Sequence, residues 1–126
     1  MRFGSATTAV LLLLVTSFNG EARHRRPRAV RMLATAFSVE GITAAGVWSR
    51  PGTAAADPAV LPLGSRIRVF GAGRYSGYYS VEDTGSKVVG RHIDLYMRTK
   101  AEAKRFGKQP VRVVILRYGE TQQARR

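Results

Sequence analysis

Cysteine is absent from this chain of 126 residues, so neither disulfides nor thiolate-bound metal can hold its fold together. Only two histidines occur, His24 and His92, and their separation along the chain makes a histidine-based metal site unexpected. No apolar run approaches the roughly 20 residues that a membrane-spanning helix needs; the clearest, Ala9 to Val15, is far shorter. Acids are scarce too, with 8 Asp and Glu against 21 Lys and Arg, for a formal net charge of +13. Such a surplus invites a nucleic-acid reading. Nothing here resembles a helix-turn-helix, a zinc finger or an aromatic-rich RNA platform, so specific nucleic-acid binding is not expected from charge alone.

The N-terminus combines Arg2, the apolar run and the small residues around Gly20-Glu21-Ala22, which reads as an export signal over residues 1–22. An uncleaved amphipathic anchor is the alternative. Loss of that segment removes one base and one acid, Arg2 and Glu21, so the net charge of +13 is unchanged. A small exported protein with this charge gathers at polyanionic surfaces, which outside the cytoplasm are cell-wall polymers and acidic lipid headgroups. The expected location is therefore the periplasm or cell envelope, and mutual repulsion favours a monomer. Residues 23–31 are basic without apolar periodicity and read as a flexible tether. Residues 32–118 carry the folded domain, and residues 119–126 a loose tail.

Within that domain, Met32–Val39, Arg66–Phe70, Tyr78–Glu82, His92–Met97 and Val111–Leu116 read as strands, separated by Gly-containing turns. Alternation over the fourth puts Ile93, Leu95 and Met97 on one face and His92, Asp94 and Tyr96 on the other. Thr99 with Glu102 forms a capping box, and Gly107 ends the short helix that follows. Many short strands with one small helix imply a mainly β fold, a compact barrel. Gly71-Ala72-Gly73 lacks the strand–helix setting of a phosphate loop.

The chain has only three aspartates: Asp57 in Ala56-Asp57-Pro58, Asp83 in Glu82-Asp83-Thr84-Gly85, and Asp94 in Ile93-Asp94-Leu95-Tyr96. The first two have ready roles in turns. Asp94 does not, because aspartate is a poor strand former. These segments, with Ala34-Thr35-Ala36-Phe37, Thr43-Ala44, Pro62-Leu63-Gly64 and the closing run around Val111-Arg112-Val113, resemble the three-aspartate (3D) domain family. That family includes stationary-phase survival proteins and membrane-bound lytic transglycosylase A.

The resemblance implies a six-stranded double-psi β-barrel and cleavage of the β-1,4 bond between N-acetylmuramic acid and N-acetylglucosamine in peptidoglycan glycan strands. It makes Asp94 the catalytic acid and Asp83 its support, with Asp57, Thr43, Tyr96, Thr84 and Gly85 shaping the substrate site and no cofactor or metal required. A single acid suffices if the sugar's own C6 hydroxyl replaces water, since one carboxyl can protonate the leaving oxygen and then accept the C6 proton, leaving a 1,6-anhydro ring. That acid needs a raised pKa, which burial and a neighbouring carboxylate supply. The chain departs from the family pattern at Val89-Gly90, where Lys-Gly is common, at Arg91-His92, where Asn-Arg is usual, and at Phe37, where tyrosine is frequent. Tyr96 is a candidate sugar platform, Trp48 either a groove wall or a plug at the barrel end, and His92 a solvent-facing strand residue. Two other readings remain: a noncatalytic glycan-binding module, and a basic DNA- or lipid-binding protein with structural aspartates.

Overall fold

The computed structural model describes residues 27–120, together with Gly4. The export signal, residues 23–26 of the tether and residues 121–126 of the tail therefore lie outside the described residues. The elements in chain order are β1 (Ala29–Phe37), β2 (Thr53–Ala56), β3 (Arg66–Phe70), a 3₁₀ turn (Gly73–Tyr75), β4 (Gly77–Asp83), β5 (His92–Tyr96), α1 (Lys100–Phe106) and β6 (Gln109–Arg117). The strands close into a barrel in the order β1-β5-β2-β4-β3-β6. Two neighbouring pairs are parallel, β1 with β5 and β2 with β4, and the rest are antiparallel. This is the small six-stranded barrel with one short helix that the sequence implied.

Period-2 alternation builds the core. Ile67 and Val69 of β3, Ile93 and Leu95 of β5, and Val111 and Val113 of β6 all point inward and are buried, with Leu61 and Met97 filling the ends. Each such side chain contributes about 1.5–3 kcal/mol on leaving water. The helix is set as its capping box requires: the Thr99 hydroxyl accepts from the Glu102 N–H at 3.1 Å, and Gly107 ends it. Its Phe106 meets Tyr75 edge-on, ring centroids 5.7 Å apart.

Four sequence expectations change. The basic tether does not run to residue 31, because Ala29, Val30 and Arg31 are already in β1, paired with Val114, Val113 and Arg112. Basic side chains can stay in water while the backbone completes a ladder. The tail begins a residue later than expected, since the Gly119 N–H donates to the buried Ser65 hydroxyl at 2.8 Å. A Cβ at Gly119 would collide with the Leu63 carbonyl, so the close approach depends on glycine. Trp48 does not plug the barrel: it is 57% exposed, on a hairpin where Ile42 and Trp48 form a bridge. Finally, β2 was missed altogether. Thr53-Ala54-Ala55-Ala56 lacks the bulky residues that announce a strand, yet all four are buried in the middle of the acidic side of the barrel.

Candidate active site

Register carries the site. Ala55 of β2 pairs with Asp94 of β5 on one side and with Asp83 of β4 on the other. Asp94 pairs in turn with Thr35 of β1. One row of outward-facing side chains thus reads Thr35, Asp94, Ala55, Asp83. With neighbouring strands about 4.8 Å apart, the two aspartates have Cα atoms roughly 10 Å apart. Ala55 between them adds only a methyl group.

A register shift between Ala54 and Ala55 puts Asp83 in that row. Ala54 pairs with Val81 but Ala55 pairs with Asp83, so β4 has one residue more than β2 at this point. Without the bulge Glu82 would stand opposite Ala55, and re-aiming of this kind is a common use of bulges near sites. Glu82 instead holds the strand's flank, accepting from Thr53 Oγ1 at 2.9 Å and pairing with Arg50 at 2.9 Å.

Asp83 is fixed by backbone. Its Oδ1 accepts the N–H of Thr84 at 2.9 Å and that of Ala44 at 3.1 Å. Ala44 belongs to a tight hairpin in which the Thr43 N–H donates to the Val47 carbonyl at 2.8 Å and the Ala45 N–H to the Glu82 carbonyl at 2.9 Å. Thr43 is buried and its hydroxyl accepts from the Val47 N–H. Gly85 turns the chain away after Thr84, with its carbonyl accepting from the Val88 N–H at 3.0 Å.

Asp94 has side-chain partners instead. The Thr35 hydroxyl donates to Asp94 Oδ1 at 3.0 Å, and His92 Nε2 lies 2.6 Å from the same hydroxyl. A hydroxyl has one proton, so when Thr35 gives its proton to Asp94, His92 Nε2 must be the N–H donor. When Asp94 is protonated the chain can reverse, with Asp94 donating to Thr35 and Thr35 to His92. Burial pushes the Asp94 carboxyl above its ordinary value; the Thr35 hydrogen bond and nearby His92 oppose this, and the charge of Asp83 adds to it. The net direction is upward.

The other expected residues are placed differently. Asp57 accepts from the Gly90 N–H at 2.8 Å and the Ala59 N–H at 3.0 Å, which hold it below the usual carboxylate range. It latches the exit of β2 to the loop before β5. Tyr96 is buried, its ring edge-on to Phe37 at 5.6 Å, and so presents no open face for a sugar. His92 is not merely a solvent-facing strand residue, because it shares the Thr35 hydroxyl with Asp94. Thr35 and Ala55 went unrecognised, since their importance follows from strand neighbours and not from any local motif. Val89 stands exposed. Among the described residues no group of three or more His, Asp or Glu could hold a metal ion.

A closed small barrel bearing one half-buried, partnered aspartate beside a second, amide-held one has counterparts in fold among known proteins. Among solved structures, it is similar to the lytic transglycosylase MltA of Escherichia coli, with a TM-score of 0.51 and 20% identity over 67% of this chain and 29% of that one. The E. coli MltA structure with bound chitohexaose gives 0.52 and 17%, covering 65% of this chain and 29% of that one. At these identities the likeness is one of fold. The 3D domain family matches over residues 52–117, and the chain belongs to it. Two Bacillus subtilis (strain 168) proteins are similar in sequence. YabE, named for cell wall shaping, is 42% identical over 62 residues, 49% of this chain. The cell wall-binding protein YocH is 33% identical over 82 residues, 62% of this chain. The match spans only 14% of YabE and 27% of YocH.

Proposed function

We propose that this protein is an envelope-located lytic transglycosylase that cleaves the MurNAc–GlcNAc β-1,4 bond of peptidoglycan and leaves 1,6-anhydro-MurNAc. The observation that carries the proposal is the row Thr35–Asp94–Ala55–Asp83, in which burial raises the carboxyl that must act as an acid. Asp94 protonates the glycosidic oxygen as the bond to C1 breaks. Asp83, oriented by two backbone amides, sets a negative charge beside the cationic sugar that develops. Asp94 then takes the proton of the C6 hydroxyl as that oxygen closes on C1. Thr35 and His92 give the acid a hydrogen-bonded partner in both protonation states. The small Ala55 leaves room for a sugar over the gap between the two acids. Exposed Trp48 and Ile42, on the hairpin that holds Asp83, offer apolar surface at its rim.

The test is incubation of the purified protein and its Asp94→Asn variant with sacculi, followed by mass analysis of soluble products. Anhydro-muropeptides from the wild type alone are expected. A second reading, a glycan-binding module without turnover, draws on the likeness to a protein named for cell wall binding and on exposed Val89 where the family commonly has lysine. Equal sacculus binding by both proteins, with no soluble product from either, would establish that module in place of the enzyme.

A further inference from the structure

On the side of the barrel away from the acids, β1, β6 and β3 present arginines in register. Arg31 stands directly opposite Arg112, and Arg66 directly opposite Arg117. Arg68 lies between Val114 and Tyr78, and Phe70 pairs with Arg112. All five arginines are exposed. The ion pairs Arg50–Glu82 and Arg74–Glu102 involve none of them. Like charges directly opposite across a ladder oppose folding. Two such pairs on one face are an arrangement that an anion would relieve.

The chemistry narrows the anion. Every cation in these rows is arginine, as are 17 of the chain's 21 basic residues. Arginine's planar fork suits bidentate contact with phosphate oxygens. Cations recur about 5 Å apart across strands and about 7 Å apart along them, as the ladder dictates. That pattern follows the curve of a barrel, so a flexible chain can track it better than a flat bilayer can. Arg68 sits over both aromatic rings, 4.7 Å from the Phe70 centroid and 5.2 Å from that of Tyr78. Its guanidinium covers ring faces that nucleobases would need for stacking. Val114 and the rims of those rings leave apolar surface between the cations.

We propose that the β1-β6-β3 face binds a linear phosphodiester polymer of the polyol-phosphate type, with arginines on successive phosphates and Val114, Phe70 and Tyr78 against the carbon backbone. The face lies across the barrel from β2, so glycan and polyanion can be held at once, and the assignment stands whether or not Asp94 cuts.

The experiment uses the full chain and fluorescent poly(glycerol phosphate), with binding read by polarisation across a salt series. Arg68→Gln and Arg112→Gln should each flatten the slope of log K against log salt by about one. Arg112→Lys, which keeps the charge, should still weaken binding several-fold. Lys104→Gln and Arg105→Gln on α1 should change it less than about two-fold, the behaviour of charges outside the contact. Arg112→Gln should also melt higher than wild type, since it loses repulsion with Arg31, so weaker binding cannot be ascribed to unfolding. Asp94→Asn should bind the polymer like wild type. Equal losses from the α1 variants would overturn the proposal in favour of diffuse charge. Equal competition by a single-stranded DNA of matched charge would overturn it in favour of nucleic acid. Arg68- and Arg112-dependent binding to phosphatidylglycerol vesicles, without binding to free polymer, would replace it with a membrane contact.

Discussion

Asp94 is an acid that the fold partly works against. Its carboxyl is raised mainly by burial, so the folded protein holds this proton more tightly than the unfolded chain does. Ionising it in the fold therefore costs stability. The cost is absent below the ordinary value of 3.8 and grows as pH rises through the raised folded value. Asp94→Asn should accordingly raise the melting temperature at neutral pH and lose that advantage in acid, as thermal melts at pH 7 and pH 3 would register. Thr35→Val tests the partner. It keeps the shape but removes the donor that favours the charged form, so Asp94 should stay protonated to higher pH. The alkaline limb of the pH–rate profile for muropeptide release should move upward, and an unmoved limb would count against Thr35 as a tuning group. Asp94 was readable in the sequence because aspartate is out of place in an alternating strand. Thr35 and Ala55 were not, because strand neighbours far away along the chain leave no local trace.

The elements that sequence located best have the strongest local chemistry. Helix α1 starts after Thr99 because that hydroxyl accepts from Glu102, and Thr99→Ala should cost about 1 kcal/mol in denaturant unfolding. Strands β3, β5 and β6 announced themselves through alternation or apolar runs. Strand β2 stayed hidden because its position forbids the residues that mark a strand. Ala54 and Ala56 face the packed interior, while Thr53 and Ala55 are covered on the outer side. The latch joining β3 to the residues after β6 makes a sharper prediction. Ser65 Oγ donates to the Pro62 carbonyl at 2.6 Å and accepts from the Gly119 N–H, all at a buried position. Ser65→Ala strips the Gly119 N–H of its acceptor, while the Pro62 carbonyl keeps the backbone N–H of residue 65, and should cost about 1–3 kcal/mol in the same assay.

At the scale of the molecule the barrel is electrically divided. Asp83, Asp94 and Glu82 lie on β4 and β5, flanking β2, while the exposed arginine rows occupy β1, β6 and β3. Composition revealed the surplus of positive charge but not its distribution, because that depends on ring order. The short strands implied a compact barrel and the resemblance drawn from the aspartate motifs its six strands, but no run of alternating residues could have ordered them by itself.

Closure of the ring has one more consequence. The first strand is zipped to the last, with Ala29 opposite Val114 and β6 ending at Arg117, so the polypeptide enters and leaves the barrel side by side. A unit whose two ends share a doorway can be spliced into a loop of a larger host without prising that host apart. It can equally be re-threaded: a circular permutant joining residue 120 to residue 29 through a short linker, so that the Gly119–Ser65 latch is kept, and opened at the exposed turn near Gly71 should fold to the same β-rich circular-dichroism spectrum and a cooperative melt.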